Sequence, residues 1–176
     1  MSEQPFYVVF AGVNGAGKST LFRSDFWHTG GMPATMARVN PDENPPRARR
    51  GLVERPGSSG RRQDRAAQRG RASGGTTLVQ SGNNAGRPSS LRTMAEAREK
   101  GYRVFLFYIG LANEGIALQR IERRVQAGGH DIDEALVRKR YRASLANLSK
   151  ALPYCEEAHV LDNTVAFKRI ALWHRN

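Results

Sequence analysis

Eight consecutive residues, Gly12, Val13, Asn14, Gly15, Ala16, Gly17, Lys18 and Ser19, fill the pattern G-x-x-x-x-G-K-[ST], and Thr20 adds a second hydroxyl after it. Each part of that pattern has a chemical use. Gly12 and Gly17 let backbone N–H groups close around phosphate oxygens with no Cβ in the way, and Gly15 adds slack between them. Lys18 supplies a point charge for the β- and γ-phosphates, and Ser19 offers its hydroxyl to Mg²⁺. The helix that follows aims its positive end at the anion. A second cluster, Asn40-Pro41-Asp42-Glu43, combines turn formers with two carboxylates. It sits beyond the end of an expected strand, where α/β proteins place catalytic groups.

A glycine-rich loop needs a strand before it and a helix after it to become a site. Phe6 to Ala11 is a continuous apolar run that predicts a strand buried on both faces at the centre of a parallel sheet. Residues 18 to 26 then predict a short helix, with Leu21 and Phe22 turned to the sheet, and Met36 to Val39 a second, short strand. Farther along, a helix from Leu91 to Lys100, stopped by Gly101, precedes the apolar strand Arg103 to Ile109. Leu118, Ile121 and Val125 form an apolar stripe across a helix over Glu114 to Ala127, followed by a Gly128-Gly129-His130 turn. Arg120 and Arg123 read as surface. Val137, Tyr141, Leu145, Leu148 and Leu152 recur at helical spacing between about Asp133 and Leu152, and Pro153 follows. Ala158 to Leu161 reads as a last core strand and Ala166 to Trp173 as an edge strand. The order predicts an α/β fold, a parallel sheet flanked by helices, in a single domain over 1–176.

The net charge of +12 is unevenly spread. Residues 44 to 88 hold ten Arg, no Lys, one Glu and one Asp, a local +8, so the other 131 residues carry only +4. Within those 45 residues Arg, Gly, Pro and Ser account for 26, and none is aromatic. Such a composition cannot offset its ordering entropy, and the segment is expected to be disordered. An Arg-rich arm over 47 to 71 could meet nucleic acid through phosphate contacts, but it lacks the interleaved aromatics of a single-strand platform, so nucleic acid is not the expected partner. No run reaches the ~18 apolar residues of a membrane span and no secretory leader pattern opens the chain, which favours a cytoplasmic protein. The lone Cys155 reads as a small packing residue.

Taken together, Ala11 to Thr20, Asn40 to Glu43, Tyr108-Ile109-Gly110-Leu111, Arg124-Val125, Gly128-Gly129-His130, Arg140-Tyr141 and Asp162-Asn163-Thr164 resemble the zeta toxin family of P-loop kinases. The resemblance covers roughly 5–43 and 91–171. It implies a P-loop NTPase fold of the small-molecule kinase kind, ATP and Mg²⁺ as cofactors, and transfer of the γ-phosphate to a hydroxyl of UDP-N-acetylglucosamine or another sugar nucleotide. It also implies a small antitoxin protein as a partner. Asp42 matches the acidic residue that takes the proton from the attacking hydroxyl. Arg124, with Arg138 or Arg140, matches the lid arginines that neutralise the transferred phosphoryl group. The sequence carries no base-recognition motif that separates ATP from GTP.

One family element is missing. A Glu-Thr-Thr-Leu sequence belongs to the substrate region, whereas here Gly75-Thr76-Thr77-Leu78 has no carboxylate before its threonines. Codons allowed for Val79 to Gly86, read one base later, spell FNQETTLA, and the same offset applied from Asn44 gives a normal helix-forming continuation. Out-of-frame translation of 44 to about 88 would also explain arginine without lysine. On that reading the nucleotide-binding parts persist while the substrate region is altered, leaving either a catalyst or an ATP-binding protein without turnover.

Overall fold

The computed structural model describes residues 4–27, 37–39, 78–82 and 85–176. Asp42, the whole Asn40 to Glu43 turn, His28 and most of the Arg-rich segment lie outside these residues.

Six strands form one sheet: β1 (Phe6–Gly12), β2 (Ala37–Val39), β3 (Leu78–Gly82), β4 (Arg103–Gly110), β5 (Glu157–Asp162) and β6 (Lys168–His174), in the order β2-β3-β1-β4-β5-β6. All neighbours are parallel except β6, which runs antiparallel to β5 at the edge. Val8 stands beside Val79 on one side and Phe105 on the other, so β1 is central as its apolar run predicts. The chain leaves β1 for β2 on one side, and the later crossover from β3 to β4 passes to the other. The C-terminal end of β1 is therefore a topological switch point, the place where open α/β sheets bind ligands.

Among the described residues four α-helices flank the sheet: α1 (Lys18–Arg23), α2 (Pro88–Glu99), α3 (Glu114–Gln126) and α4 (Glu134–Ala151). Strand alternation divides the core in two. Phe6, Val8, Phe10, Phe105, Phe107 and Ile109 pack with Leu21, Trp27, Ala117, Ile121 and Val137. Tyr7, Val9, Ala11, Val104, Leu106 and Tyr108 pack with Met94, Ala97, Ala151 and Cys155 on the opposite face. Helix α4 thus begins against one core and ends against the other. Cys155 is fully buried, and burial pushes its thiol up to about 12, in keeping with a packing residue.

Three expectations need correction. Leu78–Gly82, inside the segment expected to lack structure, is a strand between β2 and β1, and Ala85 beyond it is buried. Strand pairing on both edges supplies what composition alone could not. Helix α2 also starts at Pro88, three residues before Leu91, because proline's fixed φ and missing N–H suit the first helical turn. On α4, Leu145 is 62% exposed while Ser144 is buried. The stripe that faces the sheet runs Val137, Tyr141, Ser144, Leu148, Ala151, which keeps the helical period but includes small residues that a search for large apolar ones passes over.

Helix ends follow local chemistry. Asp133 caps α4 by accepting from the Leu136 N–H at 2.9 Å, and Glu134 occupies the first turn. Asp133→Ala should lower unfolding stability by about 1 kcal/mol, read by urea titration, whereas Asp133→Asn should cost little. Helix α3 ends with Gly128 at φ +86°, where the Gly128 and Gly129 N–H groups reach the Val125 and Arg124 carbonyls, both at 2.8 Å. That bonding pair is a Schellman turn and needs a residue that tolerates positive φ.

Candidate functional site: the phosphate loop

Residues 12 to 17 leave β1 and curl back into α1. Gly12, Gly15 and Gly17 have φ of +144°, +78° and +98°. A side chain at Gly12 would collide with the Ile109 carbonyl, and one at Gly15 would lie 2.8 Å from the Ala117 carbonyl oxygen. The glycines therefore serve conformation and close approach together. The Ala16 N–H donates to the Val13 carbonyl at 3.1 Å and closes the turn. Lys18 folds back along the loop, its Nζ donating to the Gly12 and Val13 carbonyls at 2.9 and 3.0 Å. Ser19 and Thr20 are exposed on the first turn of α1. An exposed hydroxyl directly after the loop lysine fits a divalent-cation ligand, and none of the contacts around it opposes one.

The three arginines expected at the lid occupy different environments. Arg140 is half-buried on α4 and its guanidinium donates to Asn14 Oδ1 of the loop at 3.1 Å. Arg138 instead bridges Glu114 on α3, at 2.5 Å, and Glu134 one turn back on α4. The Glu134 and Glu114 carboxylates hold it more firmly protonated than an ordinary arginine. Arg124 is exposed and donates to the His130 carbonyl at 2.8 Å. Of the three, Arg140 is the one hydrogen-bonded to the loop. Tyr141 beside it donates to the Leu111 carbonyl at 2.8 Å and ties α4 to the end of β4.

Two residues to which the sequence reading gave no role at the loop also reach it: Arg120, and Asn163 of the Asp162-Asn163-Thr164 motif. Arg120, read as surface, is half-buried: it donates to the Asn163 and Thr164 carbonyls at 2.8 and 3.2 Å and to the Gly15 carbonyl at 3.4 Å. Asn163, buried just beyond β5, donates from Nδ2 to the Ala16 carbonyl at 2.9 Å. A signal was present for Arg120. It lies three residues after Ala117 and one before Ile121, both buried, so it flanks the stripe that faces the sheet. Asp162 fixes the same connection, accepting from the Thr164 N–H at 2.8 Å and its hydroxyl at 2.5 Å. The Thr164 hydroxyl, followed by its N–H, keeps the Asp162 carboxyl below the usual carboxylate range. Arg123 is exposed, as expected.

Among the described residues no group of three or more His, Cys, Asp or Glu could hold a metal, and no helix is long and apolar enough to cross a membrane.

No family model matches the chain. An uncharacterized protein of Haemophilus influenzae is 45% identical over 53 residues, a stretch that makes up 30% of this chain and 38% of that protein. The match therefore spans less than half of the relative's length. Among solved structures, the chain is similar to one described in the molecular and structural characterization of the PezAT chromosomal toxin-antitoxin system of Streptococcus pneumoniae. The TM-score is 0.61 at 15% identity, covering 97% of this chain and 72% of that one. A gluconokinase from Sinorhizobium meliloti 1021 gives a TM-score of 0.50 at 17% identity, covering 92% and 84%. At such identities the likeness establishes the fold, an α/β architecture of the P-loop kinase kind.

Proposed function

We propose that this chain is an ATP-dependent phosphotransferase of the zeta toxin type, acting on a hydroxyl of a sugar nucleotide such as UDP-N-acetylglucosamine. The observation that carries the reading is the formed phosphate loop at the switch point, with Lys18 lying along it and Arg140 bonded to its Asn14. Residues 12 to 20 bind the nucleotide phosphates, and Ser19 would hold Mg²⁺, which when bound neutralises phosphate charge. Asp42 accepts the proton of the acceptor hydroxyl as its oxygen bonds to the γ-phosphorus. The bond from that phosphorus to the β–γ bridging oxygen breaks, and ADP departs. Lys18, Arg124 and Arg140 balance the charge spread over the transferred group, and Arg138 contributes through its hold on Glu114 rather than at the loop. A cytoplasmic setting and a small antitoxin partner belong to the same proposal.

A second reading, nucleotide binding without turnover, is favoured by one observation: no carboxylate precedes Thr76-Thr77 in the substrate region. Transfer of label from γ-labelled ATP to UDP-N-acetylglucosamine and other sugar nucleotides, by the wild-type, D42N and R140A chains, separates the two. Phosphotransfer predicts turnover lowered by about 10²- to 10⁴-fold in D42N and about 10²-fold in R140A, with ATP binding retained. ATP binding with no Asp42-dependent product from any sugar nucleotide would leave the second reading standing.

A further inference from the structure

We infer that Arg120 and Asn163, which lie outside the glycine-rich motif, are positioning residues that hold the loop's carbonyls outward so that its N–H groups face the phosphates before a nucleotide arrives. The inference deepens the proposed function and rests on the loop being a phosphate site.

A trans peptide is planar, so its C=O and N–H point in opposite directions. Anchoring the Ala16 carbonyl on Asn163 Nδ2 therefore fixes the Gly17 N–H on the other side, while Arg120 on the Gly15 carbonyl steadies the peptide whose N–H closes the turn onto the Val13 carbonyl. The Gly12 and Val13 carbonyls are held in turn by Lys18 Nζ. A carbonyl free to swing inward would present partial negative charge to a phosphate and remove a donor from the nest. The carbonyls of Gly12, Val13, Gly15 and Ala16 are all engaged, two of them by side chains more than a hundred residues away in the chain.

The latch is itself cross-braced. Arg120 also grips the Asn163 and Thr164 carbonyls, so the guanidinium that reaches Gly15 also fixes the backbone that carries the Asn163 amide. Glycine at 17 has a second use here, since a Cβ there would strike Asn163 Nδ2 and sit 3.3 Å from Phe167 Cζ. The Asn163 N–H bonds the Gly110 carbonyl at 3.0 Å, which seats the latch on the end of β4.

The test is amide hydrogen exchange of the full, nucleotide-free chain together with the dissociation constant for MgATP, in wild type, R120A, R120K and N163A. Exchange at residues 14–18 should quicken about tenfold in R120A and N163A while amides of β4 and α4 keep their wild-type rates, and the MgATP dissociation constant should rise about tenfold. R120K retains the charge but cannot span three carbonyls, so it should resemble R120A. A merely structural role would raise exchange throughout. Unchanged loop exchange in R120A and R120K overturns the inference, whatever N163A does. Absence of MgATP binding by the wild type would instead remove the proposed function, and the exchange data would still decide the latch.

Discussion

On the proposed phosphotransferase reading, Lys18→Ala will lower phosphoryl transfer by roughly 10³-fold and leave the fold in place, because Lys18 is then the ammonium the loop offers to the phosphoryl group. In the nucleotide-free chain that ammonium already lies along the loop, bonded to the Gly12 and Val13 carbonyls. On the proposed reading it meets the phosphate oxygens from that position. Lys18 is half-buried, and losing its two charge-assisted hydrogen bonds costs about 3 kcal/mol in total, less than the stability of an ordinary domain. Lys18→Arg should rescue poorly, since a planar fork cannot occupy the position of a point donor inside the turn. Steady-state transfer with saturating MgATP, beside the denaturation midpoint of each variant, checks both halves. A K18A chain that keeps more than a tenth of wild-type turnover would remove the loop from the chemistry altogether.

How much of this was legible beforehand depended on how local each signal was. The loop could be read directly because its glycines, lysine and hydroxyls are contiguous and its turn is set by glycines with positive φ at 12, 15 and 17. Strands β1 and β4 were equally plain as unbroken apolar runs. Strand β3 was not, since Leu78 and Val79 are its two large apolar residues and its place comes from pairing with β1 and β2, partners distant in sequence. Arg120 shows the same limit at the site. Helix periodicity places it beside a buried stripe, but its carbonyl partners lie at 15, 163 and 164, and only the folded chain brings them within reach of one guanidinium. The choice between Arg138 and Arg140 turned on Glu114 and Glu134, because a carboxylate on either side of Arg138 draws it away from the loop.

The largest effect on stability should come from Phe107→Ala. Phe107 is 1% exposed at the middle of β4. Its ring stacks on Phe10 at 5.5 Å and on His159 at 4.5 Å, and meets Trp27 edge-on at 6.1 Å. Truncation removes one member from each of these pairs and leaves a cavity between Phe10, Trp27 and His159, so about 3–5 kcal/mol should be lost. It would also loosen His159. Burial keeps that imidazole below its ordinary pKa despite Glu157 Oε1 at 2.5 Å, and a neutral ring stacks on Phe107 without a buried charge. Phe26, 47% exposed, provides the contrast: Phe26→Ala should shift the urea midpoint only slightly. With a urea dependence of about 1–3 kcal/mol per molar, the F107A midpoint should fall by roughly 2 M. Phe107 pairs with Phe10 of the loop's strand, two residues before Gly12 and outside the loop itself, so F107A chains that remain folded should bind MgATP as the wild type does. Loss of affinity well below the unfolding midpoint would mean that the loop depends on this aromatic stack as much as on its own glycines.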